Sequence, residues 1–305
     1  MRNLLVIGGS YFLGRIFVEE MASRGDSAIY VLNRGNRPLR MEGVSEIVCD
    51  RRDGARLSQV LPALEWDAVV DFCAYDPADV ELLLRHISGP VRQYIYISTA
   101  TVHQNSATLP MAEDTPRITG PMPGPGGDYA YKKWLTELKL KEVCESRGTT
   151  HISLRPAFVY GKYNYAPRES YFFKLLAKDD LISVPSQPQA LFSMVSVWDV
   201  ARISIACLGN EKVANGAYIV CSDELISYDR LLEVLETVSS KKLNVERKPV
   251  RFLEAKGVPL PFPLEEHLVY SGARLQEALG YRYMPLLEGM AMTYRWFFQE
   301  RGTPA

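Results

Sequence analysis

Short apolar runs alternate with longer amphipathic segments through the first half of the sequence, and this alternation restricts the fold most. The runs are rich in Val, Ile and Tyr, as is typical of strands buried on both faces of a parallel sheet. The predicted strands are Leu4–Ile7, Ser27–Leu32, Ser45–Val48, Ala68–Phe72, Gln93–Ser98 and His151–Arg155. The helices predicted between them are Leu13–Arg24, Pro77–His86 and Tyr129–Arg147. This order predicts an α/β fold with a doubly wound parallel sheet.

Composition excludes several classes of protein. The 305 residues include 35 Lys and Arg against 36 Asp and Glu, and the net charge of -1 gives no overall attraction for nucleic acid or an anionic membrane. No apolar run approaches the roughly 18 residues of a membrane span, and the first run begins too close to Met1 for a secretory signal. The 5 cysteines form no C-x-x-C pair and the 4 histidines lack metal-ligand spacing. We therefore expect a reduced, metal-free, cytoplasmic protein.

A glycine-rich turn, VIGGSYFLGR, joins the first predicted strand to the first predicted helix. Such a turn directs backbone N–H groups and the positive end of a helix at an anion above the sheet, and a pyrophosphate suits that field. The turn alone is equally well explained as a plain turn, but the second strand ends about 20 residues beyond Gly14, as a dinucleotide site requires. The cofactor contacts predicted in this turn are Gly8, Ser10, Tyr11, Phe12 and Leu13.

The end of the second strand distinguishes between the two nicotinamide dinucleotides. An acid there would bind the ribose hydroxyls of NAD, but this chain has Asn33-Arg34, followed by Arg37 and Arg40. Because a guanidinium forms a bidentate pair with a 2′-phosphate, NADP is favoured over NAD as the cofactor. The alternative is a solvated arginine-rich loop. Asp50, at the end of the third strand, is predicted to bind the adenine amino group or to cap a turn.

The pattern changes after Gly161, where aromatic and proline residues become denser and regular strands are harder to place. Two helices are predicted towards the end of the chain, at Tyr228–Val238 and Pro285–Arg301. We therefore predict a Rossmann-type dinucleotide-binding domain and a smaller, mostly helical C-terminal substrate lobe. The first is assigned residues 1–161, with 190–222 returning to it, and the second is assigned 162–189 and 223–305.

Tyr129 and Lys133 stand four residues apart at the start of a predicted helix, so they share one face. A nearby ammonium, helped by the cationic nicotinamide of a cofactor, stabilises phenolate, and we expect both charges to lower the pKa of Tyr129 so that the phenol acts as a general acid and base. With 17 tyrosines, roughly one such pair is expected by chance. Thr99, at the carboxyl end of a buried strand, adds a hydroxyl that can hold a substrate oxygen.

With these motifs the sequence resembles the extended short-chain dehydrogenase/reductase family, the NAD(P)-dependent epimerase/dehydratase group. The resemblance covers nearly the whole chain through VIGGSYFLG, ISTATVH, YAYKKWLTE, SLRPAFVYG, VSVWDVAR and ALGYRYMPLLEGM. It implies that Thr99 is the family's catalytic Ser/Thr, Tyr129 its acid/base and Lys133 the partner of that tyrosine, which also orients the cofactor ribose. The further cofactor contacts that it implies are Gly14, Phe72, Cys73, Ala74, Lys133, Pro156 and Phe158.

The departures from the family pattern bear on the substrate. Ala100-Thr101 replaces the Asp-Glu pair of sugar-nucleotide 4,6-dehydratases, which disfavours that dehydration. Phe158 and Phe192 stand where galactose-type epimerases have an Asn and an Arg for the substrate diphosphate. Tyr11 occupies the position of the usual third glycine. Together these features look most like an atypical subgroup that includes chloroplast stem-loop RNA-binding proteins and bacterial reductase-like members.

The leading hypothesis is an NADP-dependent oxidoreductase that interconverts a secondary alcohol and a ketone. The small-molecule substrate is expected to be apolar or aromatic, lined by Tyr163, Tyr171 and Phe192, with Arg168 as a candidate polar contact. The alternatives are a nucleotide-sugar epimerase and a non-catalytic cofactor-sensing or RNA-binding protein on the same fold. The near-zero net charge argues against nucleic acid as a partner. Relatives that pair through two long helices imply a homodimer through Pro77–His86 and Tyr129–Arg147.

Overall fold

The structure is a computed structural model that describes residues 1–123 and 127–300. Its strands are β1 (Arg2–Ile7), β2 (Ser27–Asn33), β3 (Val44–Val48), β4 (Ala68–Asp71), β5 (Gln93–Ile97), β6 (Thr150–Pro156), β7 (Phe158–Tyr160), β8 (Ile182–Pro185), β9 (Met194–Ser196), β10 (Gly216–Val220) and β11 (Val245–Lys248). Its α-helices are α1 (Phe12–Ala22), α2 (Gly54–Val60), α3 (Pro77–His86), α4 (Gly127–Arg147), α5 (Glu169–Lys178), α6 (Val197–Ala206), α7 (Tyr228–Ser239), α8 (Val250–Ala255), α9 (Ala273–Leu279) and α10 (Leu286–Arg295).

The main sheet has seven strands in the order β10-β6-β5-β4-β1-β2-β3. Every pair in it is parallel, and β1 lies between β2 and β4. The chain builds the sheet outwards from β1 to β3 and then resumes on the other side of β1 with β4. This reversal creates a crevice above the carboxyl ends of β1 and β4, where ligands bind in doubly wound folds. The predicted fold class is confirmed.

The sequence explains why the central strands and their helices form. Residues Leu4 to Val6 of β1 and all of β5 are buried, because α1 and α6 cover one face of the sheet while α3 and α4 cover the other. Asp76 begins α3: its side chain accepts a hydrogen bond from the N–H of Ala78 at 3.0 Å, and Pro77 follows at the first helical position. The predicted helix α3 therefore begins and ends where its capping residues indicate.

The C-terminal part packs as a separate apolar cluster around α5, α7 and α10. It contains the two-stranded parallel sheet of β8 and β11 and a buried aromatic group that includes Phe172, Phe192, Tyr228 and Phe262. Within 190–222, β10 joins the main sheet beside β6 and α6 packs on α1, whereas β9 pairs with β7 outside the main sheet. The division into two domains at the predicted residues stays a prediction.

The last helical prediction needs a correction. The segment that begins at Pro285 forms α10 and then a π-helical turn, Trp296–Glu300, while Arg301 lies outside the described residues.

Among the helices that the structure describes, none combines the length and the hydropathy needed to cross a membrane.

Candidate active site

A cavity of about 760 Å³ opens at the carboxyl ends of the central strands. Most of the residues that the sequence predicts to contact a cofactor or a substrate line it. They are Gly8, Ser10, Tyr11, Phe12, Leu13, Gly14, Asn33, Arg34, Arg37, Asp50, Phe72, Cys73, Thr99, Tyr129, Lys133, Pro156, Phe158 and Arg168. Ala74 lies beside the cavity, and its carbonyl oxygen accepts a hydrogen bond from Lys133 Nζ at 2.9 Å. The fold thus brings residues from widely separated parts of the chain to one crevice.

The glycine turn forms a cradle that side chains would fill. Gly8 has a φ of 80°, and a Cβ there would lie 2.8 Å from Cys73 Sγ. A Cβ on Gly14 would lie 2.3 Å from the carbonyl oxygen of Gly8. Tyr11 caps α1 in an extended conformation without a side-chain hydrogen bond, so the first N–H groups of the helix stay available. These features fit the pyrophosphate of a dinucleotide.

The side chain of Tyr11, beside this cradle, contacts residues of two loops. The guanidinium of Arg37 lies over its ring, with Cζ 3.7 Å from the ring centroid. The ring of Tyr165 also stacks on Tyr11, with the centroids 5.9 Å apart. Tyr11 therefore connects the arginine-rich loop after β2 with the loop after β7, and its bulk narrows the cavity where the family has a third glycine.

Polar residues at the carboxyl ends of β2 and β3 line one part of the cavity. Asn33 donates from Nδ2 to the Glu46 carboxylate at 2.9 Å and accepts the N–H of Gly35 at 2.7 Å, so its side chain holds the turn that presents Arg34. Asp50 accepts the N–H of Arg52 at 2.9 Å and also lines the cavity. It therefore caps a turn at the wall of the cavity.

Lys133 is buried beneath the cavity floor. Its ammonium donates to the carbonyl oxygens of Ala74 at 2.9 Å and Ile97 at 2.8 Å, and it lies 4.7 Å from the ring centroid of Tyr75. Burial lowers the pKa of Lys133 to about 8, against the opposing charge of Asp71. Because an ammonium has three N–H donors and two are used, one donor remains for a ligand or for the phenol.

The phenol of Tyr129 is less acidic than the sequence predicts. The Lys133 ammonium lies 5.8 Å from the Tyr129 ring centroid, so the two groups are close, as their spacing requires. Burial nevertheless raises the pKa of Tyr129 to about 12, while the charge of Arg168 and a hydrogen bond with Thr99 act in the opposite direction. The residue as a whole is 44% exposed, so this desolvation is partial. The protein's own groups therefore raise the pKa of the phenol, whereas the lowering predicted from the sequence also includes the charge of a bound nicotinamide.

The carboxyl end of β5 carries the hydroxyls next to this phenol. Thr99 Oγ1 lies 3.0 Å from Thr101 Oγ1 and accepts the N–H of Thr101 at 3.3 Å. The neighbouring Ser98 Oγ is buried and forms no hydrogen bond among the described residues. A buried hydroxyl without a partner at the edge of a cavity is available to a ligand oxygen.

Three residues predicted to line the substrate site lie elsewhere. Tyr163 donates to Glu19 at 2.9 Å and packs under Arg15, on the outer side of α1. Tyr171 packs against Phe172 on α5, away from the cavity. Phe192 is fully buried and stacks on Phe262 with the ring centroids 4.7 Å apart. Tyr171 and Phe192 pack in the C-terminal cluster and Tyr163 packs on α1, so the predicted aromatic substrate lining is corrected.

Other aromatic residues take their place. Tyr75 follows the carboxyl end of β4 and contacts Tyr129, with ring centroids 6.3 Å apart. Tyr165 and Tyr270 also line the cavity, together with Thr101. Tyr75 could have been found from its position directly after a predicted strand. No local signal distinguishes Tyr165 from Tyr163, because both lie in one irregular loop.

The loop that carries Tyr165 and Arg168 is anchored by a buried acid. Glu169 accepts the N–H of Gly161 at 3.1 Å and bonds from Asn164 Nδ2 at 3.2 and 3.1 Å. Burial raises the pKa of Glu169 to about 7, and the hydrogen bond from Gly161 opposes that rise. The acid thus determines the path of residues 161–168 along the cavity wall.

The sheet order, the glycine cradle and the cavity together define a Rossmann-type protein with a dinucleotide crevice. A model of the NAD dependent epimerase/dehydratase family matches residues 4–221, and the chain belongs to this family. The resemblance inferred from the motifs is thereby confirmed.

Relatives of two kinds are similar to this chain. The chloroplast stem-loop binding protein of 41 kDa b from Arabidopsis thaliana is 25% identical over 319 residues, covering 99% of this chain and 80% of the relative. UDP-glucose 4-epimerase from Vibrio cholerae is 24% identical over 165 residues, covering 53% of this chain and 48% of that protein. Among solved structures, UDP-glucose 4-epimerase from Thermus thermophilus in complex with NAD has a TM-score of 0.76 at 22% identity, covering 99% of this chain and 100% of that one. At 22% identity, this structural similarity shows that the two proteins share a fold.

Proposed function

We propose that the protein is an NADP-dependent oxidoreductase that interconverts a secondary alcohol and the corresponding ketone. The observation that carries the proposal is the convergence of Thr99, Tyr129 and Lys133 beside the glycine cradle in one cavity. In this proposal residues 1–161 and 190–222 bind the dinucleotide, and 162–189 with 223–305 form the substrate lobe. The 2′-phosphate of NADP is assigned to Arg34, which lines the cavity and is exposed to solvent.

The glycine turn would hold the pyrophosphate of the dinucleotide, and Lys133 with Pro156 and Phe158 would border its nicotinamide end. When bound, the cofactor supplies or accepts a hydride. Tyr129 moves the matching proton: its phenol donates to the oxygen of a ketone, or its phenolate accepts from an alcohol. Thr99 donates a hydrogen bond to the same oxygen and holds the reacting carbon in place. With a pKa of about 12, the phenol is protonated at neutral pH, the state that donates to a ketone.

Exchange of Tyr129 tests this proposal. Tyr129→Phe keeps the ring and removes the proton donor, so ketone-dependent oxidation of NADPH should fall at least about 100-fold. Binding of NADPH, followed by its fluorescence, should stay within about twofold. Tyr131→Phe is the matched control, two residues away on the same helix, and should retain turnover. A Tyr129→Phe protein with the turnover of the wild type would eliminate the assignment.

A nucleotide-sugar epimerase is the second candidate, favoured by the similarity to UDP-glucose 4-epimerases. In an epimerase the hydride returns to the same molecule, so the protein would interconvert UDP-sugars with no net change in absorbance of the reduced nicotinamide. Phe158, which lines the cavity, offers no polar group to a diphosphate, and Phe192 does not reach the cavity. The similarity to the Arabidopsis stem-loop binding protein supports a third candidate, binding of stem-loop RNA. A steep decrease of RNA affinity with salt would favour that function.

A further inference from the structure

Arg168 places a partly buried guanidinium in the cavity wall without an acidic partner. Its one hydrogen bond within the described part of the chain runs from Nη1 to the carbonyl oxygen of Val159. A guanidinium has five N–H donors, so most of its donors remain available towards the cavity. The ring of Phe158 lies 5.6 Å from Arg168 Cζ and supports the guanidinium from one side.

The adjacent acid does not neutralise this charge. The carboxylate of Glu169 is directed to the N–H of Gly161 and to the amide of Asn164, and it forms no ion pair with Arg168 among the described residues. Burial accordingly lowers the pKa of Arg168 below its usual range, although the charge of Glu169 acts against this. The guanidinium is therefore a partly buried cation that forms no direct ion pair among the described residues.

Two buried arginines elsewhere in the protein show the contrasting arrangement. Arg51 donates to both oxygens of Asp71 at 2.9 and 2.8 Å, and Arg155 donates to both oxygens of Glu137. Removing a cation from water without such a partner costs free energy that an anionic ligand can offset. A cation kept in this state at the edge of a cavity therefore indicates an anion-binding position.

The distribution of charge along the cavity places that position at the reacting end. Among the lining residues, the acids are Asp50 and Asp79, both on the dinucleotide side. Asp50 accepts the N–H of Arg52, and Asp79 is paired with Arg52 Nε at 3.1 Å. Arg168 lines the same cavity as Tyr129, and its positive charge acts to lower the pKa of that phenol.

We propose that Arg168 binds a carboxylate or phosphate group that the substrate carries next to the reacting carbon. This inference rests on the proposed oxidoreductase function and narrows its substrate class to hydroxy or keto acids and phosphorylated alcohols or ketones. It replaces the apolar or aromatic substrate expected from the sequence. In binding, the anion receives two N–H groups from the guanidinium, and the reacting oxygen then faces Tyr129 and Thr99.

The first test measures anion binding without any turnover. Protein saturated with NADP is titrated with inorganic phosphate and, separately, with acetate at constant ionic strength, and heat of binding is recorded. Arg168→Met should weaken binding of the preferred anion about tenfold or more, and Arg168→Lys should retain part of it. Arg251→Gln, an exposed arginine on α8, should match the wild type. Preference for phosphate indicates a phosphorylated substrate, and preference for acetate a carboxylic acid.

The second test locates the anion and needs no variant. Crystals of the NADP complex soaked in selenate should show an anomalous peak within hydrogen-bonding distance of Arg168. No peak there, or equal anion affinity of wild type and Arg168→Met, overturns the inference. A loss of NADP affinity in Arg168→Met with unchanged anion binding also overturns it, because the arginine would then serve the cofactor. An anion at Arg168 in a protein that transfers no hydride leaves the site standing and refutes the proposed function instead.

Discussion

At the scale of single residues, burial disfavours the charged form of both the phenol and the ammonium of the candidate site. Desolvation raises the pKa of Tyr129 to about 12 and lowers that of Lys133 to about 8, so burial moves each group towards its neutral form. Reading the sequence gives the spacing of the pair but not the depth of the cleft around it. The sequence therefore predicts that the charge of the ammonium determines the pKa of the phenol, whereas desolvation is the larger effect.

The choice between NADP and NAD also belongs to single residues. Arg34→Gln should weaken NADP binding about tenfold, because it removes a charge-assisted contact to the 2′-phosphate, and NAD binding should not change. Titration of both dinucleotides by fluorescence or calorimetry measures the two affinities.

Arg40 offers a matched control for this exchange. It lies in the same loop and is exposed, but it does not line the cavity. Arg40→Gln should therefore bind both dinucleotides as the wild type does. If Arg34→Gln lost the same affinity for NADP as for NAD, the arginine would not contact the 2′-phosphate.

At the scale of elements, the segment after β7 shows how a buried group determines the course of a loop. Glu169 is 2% exposed and accepts hydrogen bonds from the N–H of Gly161 and from Asn164 Nδ2, which tie the segment before α5 to the start of that helix. The sequence shows a Glu at the start of a helix, which is commonly a solvated first-turn acid. That this one is buried follows from the packing of α5 against the C-terminal lobe.

This burial predicts a pH dependence of stability. The folded protein keeps a proton on Glu169 up to about pH 7, whereas an unfolded chain releases it near its ordinary pKa of 4.5. The folded state binds more protons between these values, so the contribution of Glu169 to the free energy of unfolding decreases as the pH rises from 4.5 through 7. Glu169→Gln should remove this loss, gaining about 3 kcal/mol relative to the wild type between pH 4.5 and 8. Urea unfolding at several pH values measures it.

Glu254 on α8 provides the control, because it is an exposed acid. Glu254→Gln should follow the wild type across the same pH range. If the stability difference between Glu169→Gln and the wild type did not change with pH, Glu169 would titrate in the folded protein as it does in the unfolded chain.

The start of a helix can be predicted from the sequence where capping residues determine it. Helix α3 has a capping Asp76 and a Pro77 in its first turn, and α7 has Ser227, whose side chain accepts the N–H of Arg230. The short β7 and β9 carry no comparable signal, because each has three residues and forms only by pairing with the other. Such strands depend on tertiary contacts rather than on their own sequence.

At the scale of the whole molecule, the outer face of α4 bears on oligomeric state. Leu138 is 45% exposed on this helix, which packs against α3 through its other face. The family resemblance implies that these two helices pair with a second copy of the chain. Leu138→Lys should then shift the protein from dimer to monomer, because a charge in an apolar interface is desolvated without a partner. Light scattering after size-exclusion chromatography measures the mass.

Leu287 is the matched control. It is 40% exposed and belongs to α10, which is far from α3 and α4 in the sequence. Leu287→Lys should leave the mass of the assembly unchanged. A monomeric wild type, or a dimer that survives Leu138→Lys, would rule out this face as the dimer contact.

The sequence by itself determined the α/β class, the glycine turn and the Tyr129 and Lys133 pair, because each follows from hydrophobic periodicity or from short fixed spacings along the chain. Only the tertiary structure decided which aromatic residues reach the cavity, how far the phenol is desolvated and that Arg168 has no acidic partner among the described residues. Those properties depend on contacts between residues far apart in sequence, such as Tyr11 with Tyr165 or Lys133 with Ala74. Burial and charge compensation are sums over such neighbours, and no local pattern contains them.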